Sequence, residues 1–439
     1  MRLAYGINWY ILLIAAVIPA AIRAQITLDT IYPAAWAGNS INTVIFRKNS
    51  LTSNNTFQYT AFYDGSGFVM VGRRSMESKL WDWKKLNYRG NILDAHNSIS
   101  IQLDGTGYLH MAWDHHNHPL KYFRSIAPGS LEFEPMQVMV GKDESAVSYP
   151  EFYRLPDGDL LFFYRNGASG NGNLVINSYS IKTASWTRLH HSLLDGEGQR
   201  NAYWQAAVDK LGNIHLSWTW RETPDVASNH DICYALSKDK GKSWQTSQGS
   251  VYTLPINAKN AEYIMRIPQN SKLINQTSMT CDQSGRPYIA TYWKNPEDRA
   301  PQYRIVYFDG RNWLTKSLNF SNLNFSLSGM GTRSIPISRP QVLVWTKQKE
   351  TYLGLIFRDE ERGNKASLAF NTINSKNPWS ILDLDAQALD RWEPTLDHDL
   401  WANRQILQLF ILPVTQIDGE KVVNRLEKPV SILEWKPLQ

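Results

Sequence analysis

Residues 104–115 read DGTGYLHMAWDH: a polar Asp-Gly turn, then an apolar strand that ends in a titratable side chain. Asp-Gly flanked by aromatic and β-branched residues is a hairpin signal. The pattern returns as DGSGFVMVGRR from Asp64, DGDLLFFYRN from Asp157 and DKLGNIHLSWTWRE from Asp209, with a looser copy, DQSGRPYIATYWK, from Asp282. TYLGLIFRDE from Thr351 repeats the strand without its turn. The first four starts lie 40, 53 and 52 residues apart. A period of roughly 40 to 55 residues suits a four-stranded propeller blade. Dividing the chain by it gives seven or eight blades, and the reading adopted is all-β, a single seven-bladed β-propeller. Sustained helical periodicity is nearly absent, and Asp385 to Arg391 is at most a short helix.

The stretch SKDKGKSW, Ser237 to Trp244, fits the Asp-box pattern S-x-D-x-G-x-x-W, with a partial echo in FDGRNW, Phe308 to Trp313. It marks a hairpin turn and says little about chemistry. No linker rich in Pro, Gly or Ser divides the chain. The expected organisation is a leader over residues 1–24 and one propeller domain over 25–439. Arg2, the apolar run from Trp9 to Ala21 and Ala24 before Gln25 have the layout of an export signal. The run is short for a membrane span. A periplasmic or secreted monomer with no membrane span after leader removal is therefore expected.

The repeated strands end in basic or imidazole groups at nearly the same point: His115 and His116, Arg165, Arg221, Lys294 and Arg358. Equivalent strands of a propeller run in one direction about the axis, so these ends converge on one mouth. Convergent positive charge focuses the field in a cleft. The formal charge of +6 agrees with an anionic ligand. Nucleic acid would satisfy that balance too, but no Lys/Arg block or nucleic-acid motif is present. The 17 Trp and 21 Tyr suit strands and sugar platforms.

Two histidines stand beside one of those strands. His96, in LDAHNS, precedes it; His116, in WDHHNHPL, follows it 20 residues later, a spacing that a hairpin folds into proximity. Tyr149 in SYPE and Arg165 in YRN come next, 16 residues apart, then Tyr203 and Arg221. His, Tyr and Arg without an obvious carboxylate pair form a toolkit for β-elimination at a uronic acid. Arg neutralises the C6 carboxylate and acidifies the C5 proton. Of His and Tyr, one removes that proton and the other protonates the leaving O4. Glycoside hydrolysis more usually needs two placed carboxylates. Glu151, Glu222, Asp231 and Asp359 near strand ends keep hydrolysis open, and a non-catalytic sugar-binding propeller would keep the basic mouth. The catalytic set is His96, His116, Tyr149 and Arg165; His115, Tyr203, Arg221, Lys294 and Arg358 are candidate substrate binders.

Only two cysteines occur, Cys233 and Cys281. A disulfide, two buried thiols or a structural zinc with His230 all satisfy the spacing. No cofactor is expected for catalysis.

At this point the sequence resembles the BNR-repeat group of seven-bladed propellers. That group holds the ulvan lyases of polysaccharide lyase families 24 and 25. It also holds the L-rhamnosyl-α-1,4-D-glucuronate enzymes of polysaccharide lyase family 42 and glycoside hydrolase family 145. The resemblance runs from Ala35-Trp36-Ala37-Gly38-Asn39-Ser40 through WDHHNHPL to the Arg221 strand. SINTVIFRKNSL and FQYTAFYDG are closest to the rhamnosyl-glucuronate enzymes. It implies that His96, His116, Tyr149 and Arg165 follow the ulvan-lyase order of two histidines, a tyrosine and an arginine. Tyr203 matches a further active-site tyrosine. Some family 145 hydrolases are described as using a histidine on the opposite face, in the segment equivalent to Phe46-Arg47-Lys48-Asn49. This chain has Lys48 there, which favours the lyase; an α-L-rhamnosidase is the alternative. Metal sites of Cys and His in relatives imply His230, Cys233 and Cys281 as zinc ligands.

Overall fold

Each repeated turn closes on its own aspartate. Asp104 Oδ1 accepts from the backbone N–H groups of Thr106 (2.8 Å) and Tyr108 (3.0 Å). Asp209 does the same with Leu211 and Asn213, both at 2.9 Å, and Asp282 with Ser284 (2.8 Å) and Arg286 (3.0 Å). Gly107, at φ 89°, occupies the left-handed position that such a turn demands and that a Cβ would strain. In two blades the strand behind the turn adds a buried histidine. His110 spans Asp104 (3.3 Å) and the Tyr122 hydroxyl (2.8 Å); His215 spans Asp209 (3.3 Å) and Tyr234 (2.7 Å). These two are hydrogen-bonding struts of the scaffold.

The structure, a computed structural model, describes residues 26–437; the expected leader lies outside them. Its strands assemble into seven antiparallel sheets, one per blade of a β-propeller. Blade one comprises Leu51–Ser53, Phe57–Tyr63, Phe68–Ser75 and Asp82–Arg89. Blade two comprises Ile99–Leu103, Leu109–Trp113 and Tyr122–Arg124. Blade three comprises Val147–Arg154, Leu160–Ala168, Asn171–Ser180 and Ser185–Leu194. Blade four comprises Asn201–Val208, Ile214–Arg221, Asn229–Ser237 and Glu262–Met265; blade five comprises Ser278–Cys281, Pro287–Trp293, Gln302–Phe308 and Trp313–Ser317. Blade six comprises Gln341–Lys347, Glu350–Phe357, Ser367–Thr372 and Ser380–Asp383. Blade seven pairs Leu407–Ile411 and Glu427–Trp435 with Ile26–Trp36 from the other end of the chain, in register from Ile26 opposite Trp435. That pairing closes the ring.

Second strands such as Leu109–Trp113 are buried along their whole length, because neighbouring sheets cover both faces. Outer strands such as Asp82–Arg89 alternate into solvent. The core is accordingly split into seven apolar clusters among the described residues, one between each pair of adjacent blades. The Asp-box packs as its pattern implies: Asp239 accepts from Ser237 and Ser243, and Trp244 is buried with Nε1 donating to the Gly241 carbonyl (3.0 Å).

One expectation needs correction. The Asp64 turn joins the second and third strands of blade one, whereas those at Asp104, Asp157, Asp209 and Asp282 join first and second strands. It therefore faces the opposite mouth, which accounts for its odd spacing of 40 residues. Residues 385–391 are irregular, and the α-helix lies at His398–Arg404, capped by Asp397, which accepts from Leu400 N–H at 2.8 Å. No helix among the described residues is long and apolar enough to cross a membrane.

Candidate active site

The hairpin of blade two explains the spacing of the two histidines. Ile99 pairs with Trp113, and His96 and His116 lie three residues beyond that pair, one on each side. The chain after Trp113 then leaves its own blade. His116–His118 adds to the first strand of blade three, with His116 opposite Ser148 and Asn117 N–H donating to Ser148 Oγ (2.7 Å). This excursion brings His116 beside Tyr149. Three non-glycine residues here adopt the left-handed conformation: Asp114 (φ 67°), Asn117 (62°) and Tyr149 (54°). For an aromatic residue that is costly, and the register shift between Ser148 and Glu151 shows a bulge that re-aims the Tyr149 ring.

The rings meet closely. His96 and His116 stack with centroids 4.1 Å apart, inclined by 22°. Phe46 stacks under His96 at 5.7 Å, and Tyr149 meets both edge-on, 5.1 Å from Phe46 and 5.9 Å from His96. Each histidine turns Nδ1 toward one carboxylate that sequence reading passed over. Asp94 Oδ1 lies 2.7 Å from His96 Nδ1, and Asp94 Oδ2 lies 2.6 Å from His116 Nδ1. Burial alone would raise the Asp94 carboxyl, but the hydrogen bonds to His116 and His96 hold it well below the usual carboxylate range. Glu420, from blade seven, lies 3.3 Å from His96 Nδ1 and accepts from the Ala95 and Thr332 backbone amides (3.0 and 2.6 Å). Asp94 sits two residues before His96 in a segment already singled out; Glu420 left no signal in the sequence.

Blades three and four repeat one device, a tyrosine under an arginine. The Arg165 guanidinium lies 4.9 Å above the Tyr149 ring, and that of Arg221 lies 4.3 Å above Tyr203. Strand register makes the repeat: Ser148 pairs with Arg165, and Asn201 with Arg221. Arg165 is buried, bonded to Gly167 O (3.0 Å) and Ser148 Oγ (3.2 Å), with Nη1 left without a protein partner. The two phenols differ. Burial pushes Tyr149 far up, so it keeps its proton. Burial also acts on Tyr203, but Arg221, whose Nη1 is 3.3 Å from its oxygen, and Arg165 outweigh it and bring the phenol down to about 7.

Not every strand-end cation serves the mouth. Arg358 is buried and spends its guanidinium on the carbonyls of Ile335 (2.7 Å), Pro336 (2.8 Å) and Trp392 (3.1 Å). It ties loops together. His115 is buried with Nε2 accepting from Lys121 N–H (2.8 Å), and burial lowers it to about 3, so it is neutral. Lys294 is half-buried at its strand end. The zinc reading also fails on placement. Cys233 lies in the core between blades three and four, whereas Cys281 packs into the core between blades four and five. Both are free thiols, and His230 is held by Glu222 (2.9 Å) and Asp231 (3.1 Å). Among the described residues, ligand atoms of three or more such side chains converge only at Asp94, His96 and His116, where hydrogen bonds already join them.

The other mouth holds a cavity of about 820 Å³, lined by the Asp157 and Asp209 turns, Trp345, Trp401, His398 and Lys48. Lys48 Nζ donates to the Ala206 carbonyl (2.8 Å) and lies 4.3 Å above the Tyr153 ring. His96, His116, Tyr149, Arg165, Tyr203 and Arg221 are all absent from its lining.

A family model described as "BNR repeat-containing family member" matches residues 57–321. This chain belongs to that family. Among curated relatives, the short isoform of ulvan lyase from Alteromonas sp. (strain LOR) is 46% identical over 186 residues, covering 37% of this chain and 34% of that protein. The chain thus spans about a third of that relative's length. The solved polysaccharide lyase Uly1 superposes with a TM-score of 0.68 at 14% identity, over 93% of this chain and 99% of that one. A polysaccharide lyase family 25 ulvan lyase bound to -[GlcA(1-4)Rha3S]- superposes with a TM-score of 0.63 at 14% identity, over 90% and 96%. These superpositions establish the shared propeller fold.

Proposed function

We propose that the protein is a lyase that cleaves an acidic, uronate-containing polysaccharide or oligosaccharide by β-elimination, at a linkage of the rhamnose–glucuronate kind. The observation that carries this is the stacked histidine pair. With both Nδ1 atoms turned to Asp94, each Nε2 is left without a protein partner among the described residues. An imidazole Nε2 of this pair takes the C5 proton, and the C5–H electron pair passes through an enolate into the new C4–C5 double bond. The C4–O4 bond breaks, and the leaving oxygen takes its proton from the Tyr149 hydroxyl, which burial keeps protonated. Proton exchange from imidazolium to the Tyr149 oxygen resets the site. Arg165, with its unpartnered Nη1, and Arg221 lie where they can neutralise the C6 carboxylate and stabilise the enolate.

Hydrolysis fits this mouth less well, since its carboxylates, Asp94 and Glu420, are already engaged by histidines and backbone amides. The relatives named ulvan lyase and the arginine-lined mouth support an acidic glycan as partner. The export-signal layout of residues 1–24 supports export, checked by cell fractionation of the full chain. The deciding assay is ultraviolet absorbance of a 4,5-unsaturated uronate during incubation with ulvan and gum arabic oligosaccharides. A rise that His116→Ala abolishes supports elimination at this mouth. Released rhamnose without an absorbance change means hydrolysis and moves the active site elsewhere.

A further inference from the structure

A carboxylate that only shaped the 94–97 turn would need one oxygen. Asp94 Oδ1 does serve that turn, accepting from the His96 backbone N–H at 2.9 Å as well as from its ring. Oδ2, however, reaches His116, which is 22 residues away in another loop. One side chain therefore grips two stacked rings by the same atom, Nδ1, and turns both remaining nitrogens away from itself. An imidazole whose Nδ1–H donates to a carboxylate must carry its lone pair on Nε2, so the grip selects a tautomer as well as an orientation.

We propose that Asp94 is the positioning residue of the site, fixing His96 and His116 together in the Nδ1–H tautomer so that both present a basic Nε2 to the mouth. The catalytic half of this rests on the elimination reading; the tautomeric half does not. Asp94 touches no substrate. Its charge stands opposite whichever ring becomes imidazolium when the C5 proton is taken, so the developing cation is balanced without any side chain having to move. Stacked rings 4.1 Å apart could not both carry a positive charge cheaply, and one carboxylate shared between them suits one added proton. The other titratable groups facing this unit are Glu420, beside His96 only, the Tyr149 ring, and His118, whose Nδ1 accepts from the His116 backbone N–H. Glu420 therefore cannot replace Asp94 at His116.

Asp94→Asn is the sharp variant, because it keeps the shape and one acceptor. Its amide nitrogen must face one of the two Nδ1 atoms and drive that ring into the other tautomer, with Nε2 protonated. Nitrogen-15 NMR of the wild-type full chain is expected to show His96 and His116, assigned by His→Gln variants, both as Nδ1–H tautomers. Asp94→Asn should switch one of them. Either histidine in the Nε2–H form in the wild type overturns the proposal, whatever the protein catalyses. In the absorbance assay, Asp94→Asn should lower kcat about 10²- to 10⁴-fold, the usual worth of a placed proton-transfer group, with KM little changed. Unchanged kcat, with a melting temperature showing a folded variant, also overturns it. If the wild type generates no unsaturated product, the lyase reading falls, and the NMR result alone decides the tautomer lock.

Discussion

The two mouths of this propeller are built from the same strands and differ in what their polar groups have left to offer. At one, around the cavity of about 820 Å³, the aspartates of the repeated turns have folded back on their own backbone amides. Its Lys48 is committed to a carbonyl and an aromatic ring. The histidine mouth is floored by Phe46 and Tyr149, and there valences stay open: two Nε2 atoms, one arm of Arg165 and a phenol between two arginines. Space is made by repetition, whereas chemistry is made where a blade departs from it. Blade two sends His116 across to blade three, and blade three bulges at Tyr149.

The largest expected effect tests that contrast directly. His116→Ala should lower kcat/KM for elimination by about 10²- to 10⁴-fold, while Lys48→Ala on the opposite mouth leaves it within about twofold. Loss of elimination in Lys48→Ala with retention in His116→Ala would invert the assignment of the mouths. Next comes Arg165→Gln, which keeps a neutral donor near the carboxylate. It should reduce kcat by about 10²- to 10³-fold, the scale of losing one electrostatic stabiliser in a closed site. An effect confined to KM would make Arg165 a binder of ground-state substrate only.

A smaller, spectroscopic effect sharpens the difference between the two tyrosine–arginine pairs. Cations favour a phenolate, so Tyr203 is expected to ionise at about 7, far below an ordinary phenol. Ultraviolet titration should show one tyrosinate forming there, absent in Tyr203→Phe. Arg221→Gln should shift that titration upward, because removing a neighbouring cation disfavours the anion. Tyr149 should contribute no such step. A wild-type protein with no phenolate signal below ordinary tyrosine titration would show that burial outweighs the arginines at Tyr203.

Much of this was legible in the sequence because it is periodic. Turn, strand and terminal charge recur, and recurrence predicts both the ring of blades and the face on which the charges gather. Periodicity could not say which charges stay free. Arg358 has the same place at its strand end as Arg165 and is consumed by loop carbonyls from residues 335, 336 and 392. The site's carboxylates were hidden for a related reason. Asp94 stands beside His96 in LDAHNS, but its second oxygen meets a partner 22 residues away, which local sequence does not show. Glu420 reaches His96 across the ring closure, a contact spanning most of the chain. The Cys–His zinc site fails because sequence proximity does not tell which inter-blade core a strand residue enters.

The smallest effect concerns stability and belongs to the opposite mouth. Glu151 is buried, accepts from the Tyr153 hydroxyl and from Trp204 Nε1 (3.2 Å), and burial raises its carboxyl to about 7 although Lys48 pulls the other way. Burial likewise brings Lys48 down to about 8, with Glu151 opposing. The folded chain thus holds a proton on Glu151 that the unfolded chain gives up. The stability this contributes is fully present below the ordinary glutamate range and is lost as pH rises through about 7. Glu151→Gln keeps an acceptor for both donors and removes the titration. At about pH 5 both proteins hold a neutral group beside a charged Lys48, so their melting temperatures should nearly coincide. Toward about pH 9 the wild type must bury a carboxylate that the variant lacks, and the variant should become the more stable of the two. Elimination should be unaffected throughout. A constant difference across that range would mean that Glu151 stays ionised beside Lys48. The opposite mouth would then hold a standing ion pair, and its Lys48 would have to be counted among the charges a ligand meets.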